Sequence, residues 1–286
     1  MSAASDSIVL LIQCADQSGI VAKLSRFVFE RGGNITNSNQ YSTDPSGGRF
    51  FMRLEFYLSG DCSRKELVAA FQPLGQSLNA DWEFHFSTDL PRMAVAVSKF
   101  DHCLVDLLYR WSSGEFRVEI PCVVSNHESA RVLVERHGIP FVHLPVAEAT
   151  RAEQEARMVE AISGPSDFLV LARYMQILSG DFLRAYAKDV INIHHSFLPS
   201  FKGANPYRQA FDRGVKLIGA TAHYATTDLD EGPIIEQVVG RVTHRDTPET
   251  LREQGKSLEQ RALAAAIKAH IEHRVIRYKN KTVVFE

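Results

Sequence analysis

Hydrophobic and polar positions follow two different patterns along this chain, and the change falls near residue 90. Ahead of it, Ile8-Val9-Leu10-Leu11-Ile12 predicts a short strand ending in the run Cys14-Ala15-Asp16-Gln17-Ser18-Gly19. Ile20, Val21, Leu24, Phe27 and Val28 then recur at the spacing of one buried helix face. Arg31-Gly32-Gly33 stops that helix, because glycine adopts the left-handed backbone past a helix end at least cost. Asn34 to Tyr41 predicts a strand, Pro45-Ser46-Gly47-Gly48 a turn, and Phe51 to Leu58 another strand. Glu66, Leu67, Ala70, Phe71 and Leu74 mark a second helix, and Trp82 to Phe86 a last strand. The order β-α-β-β-α-β is that of a ferredoxin-like split unit.

Beyond the polar, proline-ended stretch Phe86-Ser87-Thr88-Asp89-Leu90-Pro91 the pattern changes. Apolar runs at 93–97, 118–124, 141–144 and 168–172 alternate with helical patterns at 105–111, 128–136 and 151–162. Such alternation builds a doubly wound, Rossmann-like parallel sheet, where ligands sit off the C-terminal strand ends. The chain is thus expected to be α/β, divided into residues 1–86, a linker at 87–91, and 92–286. Asn205 and Pro206 suit the N-cap and first turn of a helix, and Asp246-Thr247-Pro248-Glu249 opens a long amphipathic one. Residues 274–278 and 282–285 close the chain as a hairpin around Lys279-Asn280-Lys281.

One strand end in that series carries unusual chemistry. Val190-Ile191-Asn192-Ile193 predicts a buried strand that delivers Asn192, His194, His195 and Ser196. Burying an amide and imidazoles is costly unless each polar atom finds a partner, so such a cluster marks a candidate active site. Asn192 and His194 are two apart and point to the same side of a strand. Residues 217–224 predict a neighbouring strand, and the acidic loop Thr227-Asp228-Leu229-Asp230-Glu231-Gly232 after it can bring a carboxylate to the pair.

Composition restricts the partners. Lys and Arg number 32 against 34 Asp and Glu, interspersed along the chain, so no basic footprint points to nucleic acid or an anionic membrane. The 45% hydrophobic and 23% charged fractions are those of a folded globular protein rather than a disordered one. Cys14, Cys62, Cys103 and Cys122 show no metal-ligand spacing and are expected as buried, reduced side chains. The polar N-terminus and the lack of any apolar run of membrane length point to the cytoplasm.

Four ordered blocks resemble the folate-dependent formyltransferase superfamily: Asn192-Ile193-His194, Leu198-Pro199-Ser200-Phe201-Lys202-Gly203-Ala204, Gly219-Ala220-Thr221-Ala222-His223 and Asp230-Glu231-Gly232-Pro233-Ile234-Ile235. The resemblance implies a catalytic group at Asn192, His194 and Asp230. Arg173-Tyr174-Met175-Gln176-Ile177-Leu178 is similar to that superfamily's folate-binding segment, which implies a pocket wall from Tyr174 to Leu178. On their own pattern, without the flanking motifs, Met175 and Ile177 read as a loop packed into the core. His195, His223 and Asp228 join as substrate-binding candidates, His195 toward water or folate and His223 in support of Asp230.

Asp16-Gln17-Ser18-Gly19-Ile20-Val21 and Gly33-Asn34-Ile35 resemble an ACT domain, a small regulatory module. This implies an amino acid effector near Asp16, Ser18, Gly19 and Asn34, and a homo-oligomer, dimer or tetramer. The loop meets a helix N-terminus, whose free N–H groups suit a carboxylate. Asp16 and Ser18 would equally serve as helix caps.

Two features separate the reactions open to such a chain. The turn Ser98-Lys99-Phe100-Asp101-His102 lacks the glycines that would let backbone N–H groups cradle a phosphate, which discounts a phosphorylated acceptor. His195-Ser196-Phe197, where most of the superfamily has Pro-Ser-Leu, is similar to its deformylase branch, as is the ACT-like segment. The resemblance implies hydrolysis of 10-formyltetrahydrofolate to formate and tetrahydrofolate, feeding one-carbon and purine metabolism, with no metal and no cofactor beyond the folate substrate. In that chemistry Asn192 and a protonated His194 stabilise the oxyanion, and His194 supplies a proton to N10. Asp230 orients the water and takes its proton, directly or through His194. A formyltransferase to an unphosphorylated amine and a non-catalytic folate or amino acid sensor are the alternatives.

Overall fold

The structure, a computed structural model, describes residues 7–44, 47–59, 62–146, 151–199 and 206–286. It forms two compact units. Residues up to Leu90, with Glu272–Tyr278 and Val283–Glu286, make the first; Pro91–Ile271 and Lys279–Thr282 make the second. The closing hairpin is therefore divided, and its strands mostly join the first unit instead of the second as the sequence pattern suggests.

In the first unit β1 (Ile8–Ala15), α1 (Ile20–Phe29), β2 (Gly33–Ser42), β3 (Arg49–Leu58), α2 (Arg64–Ser77) and β4 (Asp81–Phe86) follow in the expected order. The sheet is antiparallel, in the order β2-β3-β1-β4. Strand alternation splits its apolar residues between two faces. Leu10, Ile12, Cys14, Met52, Leu54 and Phe56 pack with Leu24, Phe27, Leu67 and Phe71 of the two helices. Phe51 points the other way, into a smaller cluster with Ile276 and Phe285 from the end of the chain. Edge-to-face rings tie the larger core together, with Phe71 centred 4.9 Å from Phe27 and 4.8 Å from Trp82. Ser63 and Glu66 form a reciprocal capping box at the start of α2, satisfying two N–H groups that have no intrahelical partner.

The second unit runs β5 (Met93–Val97), α3 (His102–Ser112), β6 (Val123–Ser125), α4 (Arg131–Glu135), β7 (Phe141–His143), α5 (Arg151–Ser163), β8 (Phe168–Leu171), α6 (Gly180–Tyr186) and β9 (Asp189–His194). It continues with α7 (Pro206–Asp212), β10 (Leu217–Tyr224), β11 (Ile234–Arg241) and α8 (Pro248–Ile271). Sheet order is β11-β10-β9-β8-β5-β6-β7. The strands from β5 to β9 are parallel, and every residue of β5 and β8 is buried, as expected where helices cover both faces.

Several expectations are corrected here. β10 and β11 run antiparallel to their neighbours, so the sheet is mixed. β11 itself was hidden because its apolar residues do not alternate. The 118–124 run pairs only from Val123 onward, apart from a bridge between Arg92 and Glu119; its pattern reflects burial of Val118 and Ile120 outside regular structure. The 128–136 helix is a 3-10 turn at Glu128–Ala130 followed by the short α4. Cys14, Cys103 and Cys122 are buried and free, but Cys62 is exposed. The segment 200–205, with Phe201 to Asn205 of the quoted motif and helix start, lies outside the described residues.

α8 buries Leu251, Leu258, Ala262, Leu263, Ala266 and Ile267 on one face. Thr247 caps it, its Oγ1 accepting from the Thr250 N–H at 3.3 Å, and Pro248 takes the first helical position, where its missing N–H costs nothing.

Candidate active site

The change from parallel to antiparallel pairing between β9 and β10 builds the site. Their register sets His223 opposite Asn192 and Thr221 opposite His194. A bulge between Ala222 and His223 against β11 turns His223, a common way of re-aiming one side chain from a sheet. Asn192, His194, His223 and Asp230 all line one cavity of 630 Å³. The pair that alternation placed on one side of β9 does face one space.

Asp230 reaches the pair from the loop after β10. Its φ of 56° lies in the left-handed region, which Asp tolerates better than most residues. Gly232 follows because nothing larger fits: a Cβ there would sit 1.8 Å from the Tyr224 carbonyl oxygen. The loop thus folds tightly on the end of β10 and points the Asp230 carboxylate inward.

Hydrogen bonds fix the direction of each group. His194 Nδ1 lies 3.1 Å from Asp230 Oδ2, and His194 Nε2 is buried with no hydrogen-bond partner among the described residues. His223 Nδ1 lies 3.0 Å from the Tyr224 carbonyl oxygen, which can only accept, so that nitrogen carries a proton. Its Nε2 lies 3.2 Å from Asn192 Nδ2 and 3.7 Å from Asp230 Oδ1. The shorter contact makes Nε2 the acceptor for one Asn192 N–H and leaves the second N–H of that amide for a ligand. Burial opposes ionisation of Asp230, but hydrogen bonding with His194 outweighs it and holds the carboxyl well below the usual carboxylate range.

Tyr174, Met175, Gln176, Ile177 and Leu178 line the same cavity. Met175 and Ile177 are half exposed instead of packed in the core, and the Met175 N–H donates to Ser98 Oγ at 3.0 Å. Tyr174 is buried, with Gln154 Nε2 donating to its hydroxyl at 2.9 Å. His195 lines the cavity too, and burial, then Arg173 and His194, push its imidazole down to about 4. Asp228 is not brought to the cavity. Its side chain is exposed while its carbonyl accepts from the Glu231 N–H and Thr226 Oγ1.

Sequence reasoning missed a buried polar knot beside this cavity. Glu259, on the covered face of α8, is 2% exposed. It accepts from Tyr207 Oη at 2.7 Å and His102 Nε2 at 2.7 Å, with Arg173 Nε at 3.3 Å. Burial opposes ionisation of Glu259, and these partners together still lower its pKa. Arg173 is itself buried and holds a φ of 64°. A Glu on the apolar face of α8 was the available signal, since a lone buried carboxylate demands cationic or hydroxyl partners. His102, Cys103 and Glu259 also bring three potential ligand atoms within 4.8 Å. The donor set does not suit a cation, because Glu259 is already shared with a guanidinium and burial holds Cys103 as a neutral thiol.

In the first unit the effector residues are less gathered. Asp16 accepts a hydrogen bond from Ser42 Oγ, and Ser18 and Asn34 are exposed. Gly19, at φ 87°, is the N-cap residue of α1, without a side-chain cap bond, so neither Asp16 nor Ser18 performs the capping role. Among the described residues no helix is long and apolar enough to cross a membrane.

Both units match known families. Residues 91–267 match the formyl transferase family and residues 8–56 the ACT domain. The chain is 52% identical over 278 residues to a formyltetrahydrofolate deformylase of Bacillus subtilis, covering 96% of this chain and 93% of that protein. It is 49% identical to one from Synechocystis, covering 96% and 97%. A crystal structure of a formyltetrahydrofolate deformylase from Pseudomonas syringae superposes with a TM-score of 0.94 at 45% identity, covering 100% of this chain and 96% of that one. A formyl transferase fold preceded by an ACT domain, with relatives matching from end to end, means that this chain belongs to the formyltetrahydrofolate deformylase family.

Proposed function

We propose that the protein hydrolyses 10-formyltetrahydrofolate to formate and tetrahydrofolate, with Asn192, His194 and Asp230 as the catalytic residues. One observation carries this reading: the His194–Asp230 pair ends at an unpartnered His194 Nε2 on a cavity whose other wall is the 174–178 segment. The half-exposed Met175 and Ile177 suit a flat pteridine, and the buried polar end suits a formyl amide. At 630 Å³ the cavity has the size of a small-molecule site.

Water adds to the formyl carbon while the free Asn192 N–H donates to the formyl oxygen as it gains charge. The water's proton goes to His194 Nε2, with Nδ1–H held by Asp230. This choice over Asp230 rests on its depressed carboxyl, a weak proton acceptor. The His194 proton then moves to N10 as the C–N bond breaks, releasing formate. No step calls on a metal. His195, kept neutral above about pH 4, and His223, which orients the Asn192 amide, support this set. The ACT domain supports regulation by an amino acid, and β2, a terminal strand with mostly exposed residues, supports assembly of copies through that edge.

The test is formate release from 10-formyltetrahydrofolate with chelator present and no amine added. Stoichiometric formate and tetrahydrofolate are expected. His194→Ala and Asp230→Asn should lower the rate by roughly a hundredfold or more while folate still binds. Turnover appearing only with an added amine would replace this reading with a transferase, and full activity in either variant would remove that residue's role.

A further inference from the structure

The loop that carries Asp230 is also gripped from a second side. Asp230, Glu231 and Gly232 line a separate cavity of 480 Å³ together with Asn280, Lys281 and Thr282, from the turn of the last hairpin and the start of its second strand. Lys279–Thr282 belongs to the same compact unit as the loop. Asp230 lines both this space and the 630 Å³ cavity. Asn280 Nδ2 donates to the Glu231 carbonyl at 2.8 Å, and Thr282 Oγ1 donates to the Ile234 carbonyl at 2.5 Å.

These bonds follow directly on a strained position. A non-glycine residue in the left-handed region persists only when its surroundings over-determine it, and Asp230 is such a residue. Its inner anchors are the Glu231 N–H to the Asp228 carbonyl at 3.2 Å and the Tyr224 N–H to the Pro233 carbonyl at 3.0 Å. Both lie within the loop or on β10. The two hairpin side chains grip the carbonyls on either side of Gly232 from a segment about fifty residues further along the chain. Catalytic pairs are sensitive to such supports, since a misplacement of about 1 Å can cost on the order of a hundredfold in rate.

We propose that Asn280 and Thr282 are positioning residues for the reaction, holding the Glu231 and Ile234 carbonyls so that Asp230 stays against His194 Nδ1. The proposal rests on Asp230 and His194 being the catalytic pair. Neither residue touches the 630 Å³ cavity, so their loss should spare substrate binding. A role confined to stability would instead lower the melting temperature and leave kcat of the folded enzyme intact.

The experiment is steady-state kinetics with 10-formyltetrahydrofolate on the full chain, comparing wild type, Asn280→Ala, Thr282→Val, Thr282→Ser and the Asn280→Ala/Thr282→Val pair, with Asp230→Asn alongside. Expected is a kcat lowered about tenfold in each single loss and more in the pair, with KM within twofold of wild type, and recovery in Thr282→Ser, which keeps the hydroxyl. A folded double variant with wild-type kcat would overturn the proposal while Asp230→Asn remained inactive. Full activity in Asp230→Asn would sink the catalytic reading and this proposal together. Should the pair fail to fold, Thr282→Val against Thr282→Ser decides, and equal kcat in those two would overturn it.

Discussion

Asn192 and His223 face each other across adjacent antiparallel strands, and the Tyr224 carbonyl decides which way the amide points. A single backbone oxygen sets the imidazole tautomer, the tautomer sets the amide, and the amide presents its remaining N–H. His195, one residue beyond His194, acts through burial. Its folded pKa of about 4 lies below the ordinary 6.5, so the unfolded chain binds an extra proton between those values. Its contribution to stability is therefore complete above about pH 6.5 and is lost as pH falls toward 4. Thermal melts across that window should show a falling melting temperature, with a shallower slope in His195→Gln. Equal slopes would mean that His195 titrates freely. Asn192, His194 and Asp230 were legible in the sequence because they sit in ordered motifs. Arg173 and Glu259 were not, because their meaning lies in each other and they are far apart along the chain.

At the scale of elements, α8 shows how tightly the second unit is packed around its polar knot. A Cβ added at Gly255 would fall 2.1 Å from the Tyr207 hydroxyl oxygen. That ring is buried and bonded to Glu259, so it cannot swing away without breaking the bond. Gly255→Ala should destabilise the protein by about 1–3 kcal/mol, the usual cost of overpacking, seen as a lower urea midpoint. An unchanged midpoint would show that the ring has room to move. Elements with a clean period, such as α1, α5 and α8, were readable from sequence. The 118–124 run and β11 were not, since apolar residues are also buried in irregular segments, and β11 is a terminal strand with only Ile235 buried, so no buried face imposes alternation on it.

The whole molecule adds a dependence that neither domain pattern suggests. Glu272–Tyr278 and Val283–Glu286 of the last hairpin join the first unit, where Tyr278 lies 5.3 Å from the Phe51 ring and Ile276 and Phe285 complete the cluster. Phe51 is fully buried. A chain ending at residue 273 would uncover it, and since burying a large apolar side chain stabilises by about 1.5–3 kcal/mol, the first unit should melt earlier by calorimetry. An unaltered transition in the truncated chain would assign the hairpin no structural role.

The sequence by itself determined the order of most elements, the two architectures, the family and the three residues proposed for the reaction, because periodicity and short motifs are local properties of the chain. Tertiary structure alone decided which strands turn antiparallel, how β9 and β10 register His223 against Asn192, and that His194 Nε2 stays unpartnered at the cavity. It also decided that Glu259 meets Arg173, His102 and Tyr207, and that Asn280 and Thr282 reach the Asp230 loop. Those outcomes depend on distances between segments remote in sequence, which packing sets and no local pattern encodes.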